Sequence, residues 1–180
     1  ECALGNLIAD IMLWRTRSEG SEIAIANGGG IRAGLPAGPV TRGDVLQVLP
    51  FGNTLATFGL SGGDIVTALE IGLARPGSGA FPQVAGMRYR WDPARPAGAR
   101  VVSVEVRGAD GAYAPLEGAR IYRLVSNNFL RRGGDGYDVL RDKALDAYDF
   151  GPVLADAAVA YLAERSPVAP RLEGRITRAQ

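Results

Sequence analysis

The stretch SNNFLRRGGDGYDVL, residues 126–140, combines an aromatic residue, two arginines, a glycine pair and an acid in a short span. The adjacent Gly133 and Gly134 permit a tight or left-handed backbone that other residues avoid. An acid placed directly after them, Asp135, is not expected inside a core. We therefore predict that this stretch forms a shaped loop between regular elements.

The length and charge of the chain limit its class. With 180 residues it is long enough for one domain with a real core, and we predict a single domain over residues 1–180. The 20 basic and 19 acidic residues give a formal net charge of +1. The electrostatic field of so small a net charge does not attract nucleic acid or an anionic membrane without sequence-specific contacts. We therefore predict no nucleic-acid partner.

Residue types that bind metals are scarce. The single cysteine, Cys2, excludes an internal disulfide, and the sequence has no histidine. The usual ligands of zinc and of two-metal hydrolases are therefore missing, so we predict no metal or cofactor site within this chain. No run of about 18 apolar residues occurs, which predicts no membrane span. We interpret the chain as part of a longer protein.

Hydrophobic periodicity and turn residues predict the secondary structure. Predicted helices cover residues 3–15, 42–49, 62–73 and a late segment with Pro152 in its first turn. Predicted strands cover residues 22–26, 54–60, 87–91, 101–107, 121–126 and 174–178. A turn at 109–111 is expected to join the strands at 101–107 and 121–126.

Helix starts are predicted at two hydroxyl residues. Thr41 with Asp44 resembles a capping box, and Ser61 is followed three residues later by Asp64. Helices and strands are mixed with hairpins and do not alternate as strict βα units. This pattern indicates an α+β domain whose sheets carry helices on their outer faces.

Three glycine-containing segments end regular elements: NGGGIR (27–32), LPFGN (49–53) and NNFLRRGGDGY (127–137). Together they offer aromatic faces, an amide and charged groups that can bind a nucleoside. Phe51 and Phe129 could stack on a base. Asn27 could bond a base edge, Arg32 could bond ribose or phosphate oxygens, and Asp135 could accept from vicinal hydroxyls. We interpret the set as a nucleoside clamp.

Ordinary structural roles are open for the same residues. Phe51 and Phe129 could be core aromatics, and Asp135 could bond the backbone of its own turn. Asn27 could cap a helix or turn, and the triple glycine could be a plain bend. A phosphate-cradling role for the glycines is weaker still, because neither a Walker pattern nor GxGxxG before a helix is present.

Several segments carry a resemblance that covers nearly the entire chain: ECALGNLIAD, NGGGIR, VTRGDVLQVLPFGNTLATFGLSGGDI, FPQVAGMRYRWD and SNNFLRRGGDGYDVL. In this order they resemble the C-terminal domain of the 5'-nucleotidase family, the ecto-5'-nucleotidase and UDP-sugar hydrolase group. The resemblance implies a layered α/β/β/α domain with mixed sheets. It also implies a two-domain enzyme that is periplasmic, at the cell surface or secreted.

The resemblance assigns roles to individual residues. Phe51 and Phe129 match the pair that sandwiches the base, and Asn27 matches the asparagine that reaches it. Arg32 and Asp135 match residues that hold the ribose and nearby phosphate oxygens. Two divalent metal ions and the catalytic groups are implied in an N-terminal metallophosphatase domain, which is absent from this chain.

The sequence departs from the family pattern at two places. Several relatives have an arginine near the LGN motif, where this chain has Ala3 before Leu4. This puts contacts to the sugar or phosphate from that side in doubt. Relatives often have small or polar residues at the positions of Arg131 and Arg132. We expect these two arginines to be solvated, with a weaker hypothesis that they add positive potential near a phosphate.

The function predicted from the sequence is nucleotide recognition. The domain would hold base and ribose and present the phosphate to the two-metal site of the missing domain, in a 5'-nucleotidase-type hydrolase. The isolated domain is predicted to be inactive. The alternatives are a non-catalytic nucleotide-binding module, or a parent enzyme that acts on a cyclic nucleotide, a UDP-sugar or thiosulfate.

Overall fold

The computed structural model of the chain describes residues 1–179 and contains six α-helices and nine β-strands in that range. The helices are α1 (Ala3–Thr16), α2 (Arg42–Val48), α3 (Gly62–Leu73), α4 (Asn128–Arg131), α5 (Asp138–Asp142) and α6 (Leu154–Arg165). The strands are β1 (Ile23–Asn27), β2 (Leu55–Ser61), β3 (Pro82–Ala85), β4 (Met87–Trp91), β5 (Val101–Arg107), β6 (Tyr113–Pro115), β7 (Ile121–Asn127), β8 (Leu145–Tyr148) and β9 (Ile176–Arg178).

The strands form two mixed sheets. The larger sheet has the order β3-β1-β7-β2-β8, and the smaller has the order β6-β5-β4-β9. Within the larger sheet β1 runs parallel to β7, whereas the other pairs are antiparallel. In the smaller sheet β4 and β9 are parallel. The predicted α+β class with mixed sheets is therefore confirmed.

The strands β1, β2 and β3 of the larger sheet are buried on both faces, and the sequence of β1 shows why. Ile23 and Ile25 point into a core shared with α3 and the smaller sheet. Ala24 and Ala26 point the other way, into a core with α1, α2 and α6. Successive side chains of a strand face opposite sides, so alternating large and small apolar residues fit two different neighbours.

The predicted helix starts are confirmed. Thr41 accepts from the backbone of Asp44, whose side chain accepts from the Thr41 N–H in return, which completes a capping box. Ser61 accepts from the backbone N–H of Asp64 at the start of α3. Each cap satisfies N–H groups that have no partner within the helix, so local sequence chemistry determines where α2 and α3 begin.

Three local predictions were wrong. Residues 126–140 are not one loop, because they contain α4, a 3-10 turn at Gly134–Gly136 and the start of α5. Pro152 precedes α6, whose N-cap is Val153. The turn at 109–111 leads into β6, which pairs with β5, while β7 belongs to the other sheet.

Three short strands, β3, β6 and β8, were not predicted from the sequence. All four residues of β8 are exposed, so no buried apolar face distinguishes this four-residue edge strand from a loop. β6 has only three residues and exists because it pairs with β5. Within residues 1–179, no helix has both the length and the apolar character needed to cross a membrane.

Candidate functional site

The topology of the larger sheet brings the three glycine-containing segments to one end. β1 and β7 run parallel, so Asn27 and Asn127 end their strands side by side. β2 runs antiparallel to β7 with Leu55 opposite Asn127, so the loop before β2 reaches the same end. Segments 27–32, 49–53 and 127–137 are therefore neighbours in space although they are far apart in sequence.

Both candidate stacking residues lie outside the core. Phe51 is 58% exposed on the loop before β2, and Phe129 is 43% exposed on α4. Large aromatic rings are normally buried because exposure forfeits their transfer free energy. The structure therefore excludes the core-aromatic alternative for both rings and leaves part of each accessible.

Phe129 is held in place by Gly134. A Cβ atom at position 134 would lie 2.6 Å from the Cε2 and Cζ atoms of the Phe129 ring. The ring thus covers the backbone of the following turn at a distance that only glycine permits. The glycine pair noted in the sequence therefore lets the turn pack under the aromatic ring.

Asp135 adopts a left-handed backbone with φ of 58°, between Gly133 at 91° and Gly136 at 86°. For a residue with a side chain, this conformation costs about 1–2 kcal/mol, and such strain is concentrated at functional sites. The Oδ2 atom accepts from Asn27 Nδ2 at 2.8 Å. Within residues 1–179 no amide of its own turn donates to the carboxylate, so Asp135 does not have the predicted alternative role of a turn cap.

Asn27 joins the strand ends to this acid. It is 5% exposed, and its Oδ1 accepts from Asn127 Nδ2 at 3.0 Å while its Nδ2 donates to Asp135. The glycines after it form a short turn whose Gly28 and Gly29 amides donate to the Phe81 and Gly79 carbonyls. These bonds leave Asn27 one amide hydrogen and one oxygen lone pair for a further partner.

A narrow cleft lies beside Asn27 and Phe51. Its enclosed part measures about 10 Å³, room for about one water molecule, so it does not enclose a base. The lining residues combine apolar side chains with three asparagines: Ile8, Ala26, Asn27, Gly30, Ile31, Leu49, Phe51, Asn53, Asn127, Leu154 and Ala155. Arg32, Phe129 and Asp135 do not line this cleft.

Arg32 is exposed next to Phe51. Its backbone N–H donates to the Val48 carbonyl at 2.9 Å, and its Nη1 lies 3.4 Å from the Gly29 carbonyl. The guanidinium carbon is 6.0 Å from the centroid of the Phe51 ring, at the outer limit of a cation–π contact. The loosely held guanidinium remains available to an anionic or hydroxyl-bearing ligand.

The expectation that Arg131 is solvated was wrong, whereas Arg132 is exposed as expected. The Arg131 side chain is only 13% exposed and lies 3.3 Å from Asp149. Its Nη1 donates to the Leu140 carbonyl at 3.1 Å. Arg131 therefore ties α4 to α5 and to the segment after β8, and its charge is already paired.

Tyr137, the residue that follows the Gly133–Gly136 turn, anchors that turn. Its ring is fully buried, and its hydroxyl donates to the Ala80 carbonyl at 2.8 Å. Burial raises the pKa of this hydroxyl, and the negative charge of Asp135 raises it further. Tyr137 therefore stays a neutral donor, which anchors the Gly133–Gly136 turn on the loop before β3.

Two residues with clear roles in this arrangement, Asn127 and Tyr137, were not singled out from the sequence. Asn127 is the N-cap of α4 and accepts from Leu130 N–H at 2.8 Å. An asparagine before a helical turn is a recognisable capping signal. No sequence signal indicates that the side-chain NH₂ group of Asn127 donates to Asn27, because that contact joins residues 100 positions apart.

The fold and the position of these side chains define an α+β domain with its candidate site at one end of the larger sheet. The sequence model described as "5'-nucleotidase, C-terminal domain" matches residues 1–142. The chain therefore belongs to the family of 5'-nucleotidase C-terminal domains.

Individual relatives agree with this assignment. The chain is 43% identical over 180 residues to the trifunctional nucleotide phosphoesterase protein YfkN of Bacillus subtilis, covering 98% of this chain and 12% of that protein. It is 33% identical to human 5'-nucleotidase, covering 98% of this chain and 33% of that protein. The crystal structure of a 5'-nucleotidase precursor from Thermus thermophilus superposes with a TM-score of 0.96 at 49% identity, over 99% of this chain and 35% of that one. The chain thus spans at most about a third of these relatives.

Proposed function

We propose that this chain is the nucleotide-recognition domain of a 5'-nucleotidase-type phosphoester hydrolase. The observation that carries the proposal is the pair of exposed rings, Phe51 on the loop before β2 and Phe129 on α4, at the end of the sheet where Asn27 and Asp135 also meet. Family membership and relatives named as nucleotide phosphoesterases support it.

Base recognition rests on the two aromatic faces. Stacking of a base on an aromatic side chain contributes about 1–3 kcal/mol and tolerates different bases, because every base has a π-face. The remaining amide hydrogen and lone pair of Asn27 supply a hydrogen bond to the base edge. Phe129 already packs on the backbone of Gly134, so stacking on this ring has little ordering cost.

Ribose recognition rests on Asp135. Its Oδ2 accepts from Asn27, which leaves Oδ1 to accept from the vicinal hydroxyls of a ribose. A hydrogen bond to an ionised carboxylate is stronger than a neutral one. Arg32, exposed beside Phe51, would contact ribose or phosphate oxygens from the other side.

The chemical step belongs outside this chain in our proposal. The described residues 1–179 contain no group of three or more histidine, cysteine, aspartate or glutamate side chains that could hold a metal ion. A two-metal site therefore does not fit the residues present, and we assign it to an N-terminal metallophosphatase domain of an exported parent protein. Two bound metals would activate water and stabilise the phosphoryl charge there. This domain would contribute binding energy and positioning.

Changing Asp135 to asparagine tests the ribose contact. Asparagine tolerates the left-handed backbone and still accepts from Asn27, so the fold is kept while the charge is removed. We expect adenosine binding to weaken by about 1.5–3 kcal/mol, with little change for 2',3'-dideoxyadenosine. Calorimetric titration of both nucleosides measures this difference.

The control for this variant is Asp138→Asn, which removes the charge of an exposed aspartate paired with Arg141 three residues away. Surface ion pairs contribute little, so both nucleosides should bind it as they bind the wild type. An unchanged ratio of the two affinities in Asp135→Asn would reject the ribose role of Asp135.

The 180-residue chain is expected to show no phosphatase activity on AMP, with or without added divalent metal. The reason is that it has no histidine and a single cysteine, and so lacks the ligands of a two-metal centre. Phosphate release by a preparation free of other phosphatases measures this. Turnover that scales with the concentration of the purified chain would contradict the assignment of chemistry to another domain.

A further inference from the structure

Asn127 occupies the junction between the two parts of the candidate site. It is 2% exposed at the end of β7. Its Oδ1 accepts from the Leu130 N–H at 2.8 Å, which starts the helical turn that carries Phe129. Its Nδ2 donates to Asn27 Oδ1 at 3.0 Å. One buried amide is therefore bonded at both ends, once to the backbone and once to the side chain that contacts Asp135.

The direction of these bonds is fixed by the backbone. The Leu130 N–H can only donate, so the Asn127 amide must face it with oxygen and must face Asn27 with nitrogen. Asn27 then has to present its own oxygen to Asn127. Its nitrogen is left to donate to Asp135 Oδ2, as observed at 2.8 Å. Reversing either amide would set two donors or two acceptors against each other in a buried site.

We propose that Asn127 is a positioning residue for ribose recognition, which acts through Asn27 to aim the carboxylate of Asp135. The inference rests on the proposed function for the identity of the ligand. Asn127 holds Asn27 in the orientation that engages Oδ2 of Asp135 and leaves Oδ1 for the hydroxyls. Asp135 has a strained left-handed backbone, and the donated hydrogen bond gives its side chain one fixed orientation.

Two substitutions separate this role from helix capping. Aspartate and serine both cap helices well, so Asn127→Asp and Asn127→Ser keep an acceptor for the Leu130 N–H. Aspartate cannot donate to Asn27, which must then turn its nitrogen to position 127 and its oxygen towards Asp135. Serine is too short to reach Asn27 and removes the link without adding charge.

The matched control is Asn128→Asp, which adds the same charge one residue later. Asn128 Oδ1 accepts from the Thr54 N–H at 3.2 Å, and an aspartate keeps that acceptor. We expect both Asn127 variants to raise the Kd of adenosine by about tenfold. This corresponds to the loss of one hydrogen bond from a ribose hydroxyl to the charged carboxylate of Asp135. Dideoxyadenosine should lose less affinity than adenosine, because the two nucleosides share the base-edge contact of Asn27 but only adenosine has the hydroxyls from which Asp135 accepts. The control should bind both ligands as the wild type does.

A measurement without ligand tests the positioning directly. In nuclear magnetic resonance spectra, the side-chain amide protons of Asn27 should show slow exchange and Overhauser contacts to the 134–136 turn. The contacts to the turn should be lost in the two Asn127 variants and kept in Asn128→Asp. Unchanged Asn27 contacts in both variants would overturn the inference. So would an equal loss of adenosine and dideoxyadenosine binding, which indicates general disruption.

Failure of the proposed function can be distinguished from failure of the role inferred for Asn127. If the wild type binds neither nucleoside, the assignment of a nucleotide ligand is rejected for the whole site. The amide spectra then still decide whether Asn127 orients Asn27 and Asp135.

Discussion

Replacing Gly86 with alanine is expected to lower the free energy of unfolding by more than about 4 kcal/mol. This is the largest loss of stability that we predict from the addition of one methyl group. Gly86 joins β3 to β4 with φ of 73°, where alanine is strained. A Cβ atom there would lie 1.9 Å from the backbone carbonyl oxygen of Glu22. That oxygen belongs to the chain entering β1, so the clash cannot be relieved by turning a side chain.

Urea unfolding followed by circular dichroism measures this loss, and Gly77→Ala is the matched control. Gly77 also has a positive φ, 82°, but a Cβ atom there has no neighbour within 4 Å. It should cost only the left-handed penalty, about 1–2 kcal/mol. Equal losses for the two variants would show that backbone conformation alone matters and that the close approach to Glu22 does not.

Removing both exposed rings is expected to abolish measurable nucleoside binding. Phe129→Ala alone should weaken adenosine binding by about 1–3 kcal/mol, and the double variant with Phe51→Ala by about twice that if the faces act independently. The rings are 58% and 43% exposed, so the free energy of unfolding should fall by far less than for a core phenylalanine. Calorimetry with adenosine and thermal unfolding without ligand measure the two effects separately.

The control for the rings is Ile121→Ala. Ile121 is 48% exposed and pairs with Ser61, at the opposite end of β7 from Asn127. It is a large exposed apolar side chain far from the proposed site, so its removal should leave binding unchanged. A Phe129→Ala variant that loses much of its thermal stability but keeps its adenosine affinity would reverse the assignment of the ring.

Elements with strong local signals were predicted well. The capping residues Thr41 and Ser61 determine the starts of α2 and α3, because a helix end needs partners for its free N–H groups. The apolar repeat of α1 and the strands β4 and β5 also matched their predicted ranges within one residue. Elements whose existence depends on a partner were missed, as the exposed edge strand β8 shows.

The candidate site residues named from the sequence are Asn27, Arg32, Phe51, Phe129 and Asp135, and the structure brings Asn27 into contact with Asp135 and Arg32 beside Phe51. The burial of Arg131 could not be predicted, because its partner Asp149 is distant in sequence. For the two rings the sequence left a stacking role and a core role open, since phenylalanine is usually buried, and the structure shows both rings exposed.

The sequence by itself determined the family, the class of fold and the helix caps, because these depend on residue type and on neighbours a few positions away. Only the tertiary structure decided which strand ends meet and which polar groups pair there. Asn27 and Asp135 are 108 positions apart and Asn27 and Asn127 are 100 apart, yet each pair is joined by a hydrogen bond. The parallel pairing of β1 with β7 creates these contacts, because both strands then terminate at the same end of the sheet.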